Sequence, residues 1–147
     1  MLIDSHTHLN TDQLYSNYSN YLHNFSNIWG SILVNAWAND SYNQKWIEIA
    51  EQAKINFPNL TIKTAIGWHP CDIPHEKSEF NIHIQNLKQL YNDHKDVVVA
   101  IWECWIDLHF PENPDIATQQ HALKLQAELA RHLSLPLMIH SRDGFEE

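Results

Sequence analysis

Six side chains suited to binding a metal or a phosphate stand at a few places in the chain. His6 and His8 open it, two residues apart, in "IDSHTHL". In an extended segment residues i and i+2 point to the same side, so both imidazoles can reach one ion. His69 stands in "GWHP", Glu103 closes "VVVAIWE", and His140 stands in "LPLMIHSRD" with Arg142 and Asp143 just behind it. The set is nitrogen plus carboxylate, without thiolate, which suits Zn, Mn or Mg in a hydrolytic site better than a structural zinc. A carboxylate such as Glu103 can give one oxygen to each of two ions. Two ions about 3.5–4 Å apart can hold a hydroxide nucleophile and stabilise the leaving oxygen of a phosphate ester. Arg142 is a candidate phosphate contact, with an ion pair to Asp143 or Glu147 as the ordinary alternative. Cys104 sits inside a strand with no base placed beside it, as a packed thiol does.

Five short apolar runs position these residues: "MLID", "SILVNA" (31–36), "TIKTAIG" (61–67), "DVVVAIWE" (96–103) and "LPLMIH" (135–140). Each reads as a strand, the later ones buried on both faces. His6 and His8, His69, Glu103 and His140 all fall at or just beyond the end of such a run. Between the runs lie four helical stripes: Leu14, Tyr18, Leu22 and Phe25; Trp46, Ile49, Ala50, Ala53 and Phe57 behind a cap at Asp40 or Ser41; Phe80, Ile84, Leu87 and Tyr91; and Ala122, Leu125, Leu129 and Leu133. Alternation of strand and helix implies a parallel sheet with right-handed crossovers. In such α/β folds, sites form at the C-terminal ends of the strands. Pattern alone leaves a doubly wound sheet and a barrel both open.

Composition narrows the class. The chain has 147 residues, 44% hydrophobic and 18% charged, which is one ordinary globular domain. A net charge of −9 argues against a broad nucleic-acid surface made of Lys and Arg, but not against a local site where metal ions supply the positive charge. No apolar run is long enough to span a bilayer, "MLIDSHTHLN" lacks the signature of a signal peptide, and two cysteines make no disulfide scaffold. The expected compartment is the cytoplasm, with no membrane partner. Gly is scarce at 3 and Trp abundant at 6.

"DSHTHL", "AIGWHP", "ECWIDLHF" and "LPLMIHSRD" resemble, in order and spacing, the TatD family of metal-dependent deoxyribonucleases, over the whole chain. The resemblance implies a (β/α)8 TIM-type barrel, two divalent ions at its C-terminal face, and hydrolysis of phosphodiester bonds in DNA. It implies that His6 and His8 hold one ion, that Glu103 bridges both as the central catalytic carboxylate, and that His140 holds the second. His69 and Arg142 would lie in the substrate cleft. A barrel of this type takes about 250 residues. Residues 1–147 are thus expected to be the N-terminal portion of one, incomplete, with about five strands and four helices. A further His and an Asp that the family draws from later strands have no counterpart here.

The segment "AIWECWID" also departs from the family, which typically reads Gly-Glu-x-Gly-x-Asp. Simple alternation would put Ile101, Glu103 and Trp105 on one side of the strand, with an indole competing for the space of the ions. Trp37 stands where Gly is common, and Trp29 fits the same exchange. One cause covers the missing Gly and the surplus Trp: UGA codons that encode Gly, written as Trp. A decayed site, or simple drift, is the alternative. Two functional rivals remain: a hydrolase of the same architecture acting on an amide, a lactone or an aminoacyl ester, and a degenerate or truncated fragment without catalysis.

Overall fold

Each apolar run forms a strand, and helices alternate with them: β1 (Leu2–Thr7), α1 (Asp12–Tyr15), α2 (Tyr18–Asn27), β2 (Gly30–Asn35), α3 (Asp40–Asn56), β3 (Thr61–Ile66), α4 (Phe80–Asp93), β4 (Val98–Asp107), α5 (Ile116–Leu133) and β5 (Leu137–Arg142). The computed structural model describes residues 1–36 and 39–144, the side chain of Trp105 excepted. Trp37, Glu147 and the Trp105 indole, singled out above, lie outside the described residues. The first of the four expected helices is split at Ser16 and Asn17, giving the single turn α1 and the longer α2. Ser and Asn offer the backbone competing hydrogen bonds, which favours a break there. The cap of α3 is Asn39 rather than Asp40 or Ser41; its Oδ1 accepts from the Tyr42 N–H at 2.9 Å.

The five strands form one parallel sheet in the order β1-β2-β3-β4-β5. That order separates the two architectures left open by pattern. A doubly wound sheet reverses its strand order at a switch point, whereas here every strand lies beside its predecessor, as in the wall of a barrel. The fold is an incomplete (β/α)8 barrel. The larger core lies between sheet and helices, with Leu22, Trp46, Ile49, Ile66, Phe80, Leu87, Ile101 and Cys104 among its members. A smaller cluster lines the other face: Ala36, Ala65, Ala100 and Trp102, with Met138 against them. Three alanines leave room for one indole.

Two expectations are corrected. Ile101 does not share a face with Glu103; it packs with Cys104 in the helix-side core, while Trp102 joins the alanines opposite. The ladder shows why. Ile101 pairs with Leu137 and Cys104 with Ile139, so three steps on β4 oppose two on β5. This bulge interrupts the alternation and re-aims the residues within it. Nor is β5 buried on both faces: Ile139 is 52% exposed, because β5 has a sheet neighbour on one side only among the described residues.

Candidate metal centre

The ends of β1, β3, β4 and β5 converge on one cleft of about 270 Å³, which also takes in Cys71, Phe110 and Arg142. On β1, the spacing of His6 and His8 brings their Nε2 atoms to 2.8 Å, and the His6 N–H donates to Asp4 Oδ1 at 3.0 Å. The Trp102 ring meets His6 edge to face at 4.6 Å between centroids. Its buried indole N–H has no hydrogen-bond partner among the described residues.

On β4, Glu103 is 5% exposed and Asp107 1%. His140 of β5 pairs in register with Trp105, so Glu103 and Asp107 flank it, two residues to either side. Both carboxylates reach it: Glu103 Oε1 lies 2.9 Å from His140 Nδ1, and Asp107 Oδ2 lies 3.2 Å from His140 Nε2. An imidazole that gives its Nε2 proton to Asp107 keeps a lone pair on Nδ1 for a cation on the Glu103 side. This is the usual carboxylate support of a metal-bound histidine. Glu103 Oε2 faces the other way, 3.7 Å from His69 Nε2.

His69 follows β3, and buried amides hold the chain leading to it. Asn43 Nδ2 donates to the Gly67 carbonyl at 3.0 Å, and its Oδ1 accepts from the Gly67 N–H at 3.2 Å. Gln126 grips Trp68 in the same two-handed way. Gly67 itself sits so close to the Trp102 carbonyl that a Cβ would collide with it. A third amide, Gln119, takes the Asp107 N–H at 2.8 Å and donates to its carbonyl. Side chains of α3 and α5 thus fix the main chain on which His69 and Asp107 stand.

The electrostatics follow from burial. Desolvation holds the His69 pKa down at about 4, with His140 adding to the effect. It lowers His6 and His8 as well, His8 further because of His6. At neutral pH these three rings are neutral and offer lone pairs. Burial pushes the Glu103 carboxyl up, partly offset by His140. A cation beside it would relieve that cost. Two neutral imidazoles 2.8 Å apart can share only one proton between those nitrogens, and a cation can take its place. Adjacent ligands at about 2.1 Å from an octahedral ion lie roughly 3.0 Å apart. The donor set therefore fits a divalent cation. His69, Glu103 and His140 also place ligand atoms within 4.8 Å of one another, as do His69, Cys71 and Asp107.

Of the six expected residues, the cleft brings all together. Arg142 forms no ion pair among the described residues. Its guanidinium lies 5.0 Å over the Phe110 ring, and Asp143 pairs with His109. Cys104 is buried in the core, its thiol pushed up by burial. Asp107 was missed, although an unbroken strand would place it four residues beyond Glu103 on the same face. The three amides carry no signal in the sequence.

The family model for TatD related DNase matches residues 3–147. The chain belongs to that family. It is 30% identical over 148 residues to the uncharacterized metal-dependent hydrolase YabD of Bacillus subtilis, covering 100% of this chain and 53% of YabD. It is 33% identical over 97 residues to the 3'-5' ssDNA/RNA exonuclease TatD of a Rahnella strain, covering 66% of this chain and 34% of that protein. A TatD-family hydrolase from Entamoeba histolytica superposes with a TM-score of 0.84 at 23% identity, over 97% of this chain and 50% of that one. The chain spans about half the length of the full-coverage relatives it matches. Among the described residues, no helix is long and apolar enough to cross a membrane.

Proposed function

We propose that the chain carries the first part of a two-cation site that hydrolyses phosphodiester bonds in DNA. One observation carries this reading: Glu103 turns its two oxygens in different directions, Oε1 to His140 and Oε2 toward His69. A buried carboxylate so placed can serve two Mg, Mn or Zn ions. His6 and His8 would hold one, and His140, braced by Asp107, the other. When bound, the ions supply Lewis-acid charge and an activated water. The chain's own part is to orient. His69 and Arg142 would contact the phosphate, and Phe110 packs under the guanidinium. In the reaction a water oxygen bonds to phosphorus, the P–O bond to the sugar oxygen breaks, and a proton ends on that leaving oxygen. The Rahnella relative, named as an exonuclease on single-stranded DNA and RNA, supports this choice.

An ester, lactone or amide hydrolase would use the same ions, and Arg142 is the main residue that speaks for phosphate. A non-catalytic chain draws on Trp102, whose indole presses on His6. The test compares single-stranded DNA with small esters, lactones and amides on the full-length protein, with a chelator and after returning Mn²⁺. Cation-dependent cleavage of DNA alone is expected. Turnover of an ester or amide but not DNA would move the function to the first rival, and no turnover at all to the second.

A further inference from the structure

Arg142 and Asp143 are neighbours in sequence, a guanidinium beside a carboxylate. Such neighbours can pair. Here Arg142 lines the cleft and Asp143 is engaged elsewhere. The segment after β4 lies across the end of β5 and divides the two. The Leu108 N–H donates to the Arg142 carbonyl at 3.1 Å, and the guanidinium lies 5.0 Å over the Phe110 ring. Between these two contacts, His109 Nδ1 lies 3.1 Å from Asp143 Oδ2. A carboxylate only accepts, so Nδ1 carries the proton and donates.

Stability does not explain the His109–Asp143 pair. The two side chains are 44% and 64% exposed, and an exposed pair adds little. Asp143 also takes a left-handed backbone, with φ of 56°, which is a cost to any residue but glycine. That turn ends the alternation of β5, so the backbone alone does not send the two side chains to opposite faces. His109 is itself fixed. Its N–H donates to Asp107 Oδ1 at 2.9 Å, and its ring meets Phe110 edge to face at 4.8 Å between centroids.

We propose that His109 is a positioning residue that holds the Asp143 carboxylate away from Arg142. The guanidinium, set on Phe110, then stays open to an anionic oxygen entering the cleft. Naming that oxygen as phosphoryl rests on the phosphodiester reading above; the capture of Asp143 does not. Without His109, a carboxylate one residue from Arg142 competes with the incoming anion.

The test titrates inorganic phosphate into full-length, Mn²⁺-loaded protein by calorimetry. His109→Ala is expected to weaken phosphate binding roughly tenfold. Asp143→Asn removes the competing charge with a residue that tolerates the left-handed backbone, and should bind as wild type does. The double variant should recover wild-type affinity to within about twofold. A merely structural role for His109 would leave the double variant as weak as His109→Ala, and that result overturns the proposal. So does wild-type affinity in His109→Ala or in Arg142→Met, or no phosphate binding by the wild type. In the Arg142→Met background, loss of His109 should change nothing further; a second drop overturns the proposal. His109→Phe keeps a ring beside Phe110 and removes only the donor. It should match His109→Ala, and it carries the test if the smaller side chain disturbs the segment. Rescue by Asp143→Asn in a protein that does not cleave DNA would sink the phosphodiester reading while upholding this one. Cleavage of DNA by a protein in which His109→Ala is silent would do the reverse.

Discussion

His69 shows how burial sets a residue's behaviour. Its pKa in the folded chain, about 4, lies below the ordinary 6.5. Between those values the unfolded chain takes up a proton that the folded chain refuses. The stability tied to His69 is complete above 6.5 and lost as pH falls toward 4. Glu103, raised by burial, has the opposite sign: its contribution is complete below the ordinary carboxyl range and lost as pH rises through its folded value. Thermal melts of cation-free protein across the acid window should show Tm falling with pH, and His69→Leu should flatten that fall. An unchanged slope would place His69 in a more solvated setting. Trp29 tests a different point. It stands just past the end of α2 with φ of 66° and is 81% exposed. That is the left-handed position where glycine is preferred after a helix. Trp29→Gly should stabilise the protein by about 1 kcal/mol. With the Trp102 N–H, which has no partner among the described residues, this favours glycine codons written as Trp. Peptides from the native source should then carry Gly at 29, 37, 102 and 105. Native peptides with Trp at 102 and 105 would leave the decayed site as the explanation.

At the scale of elements, legibility follows periodicity. The stripe Phe80, Ile84, Leu87 and Tyr91 marks α4 closely, and "VVVAI" marks the buried half of β4, because repeating burial writes a repeating pattern. The clustering of His6, His8, Glu103 and His140 was legible too, since parallel strands bring their ends to one rim. What broke the period was hidden. The bulge between Ile101 and Cys104 is a register event with no residue signature, so alternation assigned Ile101 to the wrong face. Asn43, Gln119 and Gln126 lie on core-facing turns of α3 and α5, where polar residues read as interruptions rather than clamps. Asp107 stands at the Asp of the family pattern, but its contact with His140 across two strands depends on their register, which the sequence does not mark. Its role as the brace of His140 is testable. Asp107→Asn should weaken cation binding about 10–100-fold with the fold retained. Calorimetric titration with Mn²⁺ measures it, and wild-type affinity would remove Asp107 from the site.

The described residues form a curved wall rather than a closed barrel. β1 and β5 each have one sheet neighbour among the described residues, and Ile3 and Ile139 on them are 49% and 52% exposed. Unpaired parallel edges with apolar side chains invite association with other chains. Net stability of a domain is only about 5–15 kcal/mol, which leaves little margin for that exposure. A polypeptide of these 147 residues alone should therefore aggregate or unfold without a sharp transition. A cooperative melt of a monomer would show that the wall stands by itself. The clamps of α3 and α5 and the ladder of β3 to β5 nevertheless assemble most of the cleft, and Glu103 is its centre. The most direct test is cleavage of single-stranded DNA by full-length protein, stripped of cations and then resupplied with Mn²⁺, beside Glu103→Ala and single His6→Ala, His8→Ala and His140→Ala variants. The account predicts no activity without cations, recovery with them, and a loss in Glu103→Ala on the order of 10²-fold or more, exceeding that of any one histidine. Near-normal, cation-dependent cleavage by Glu103→Ala would contradict it.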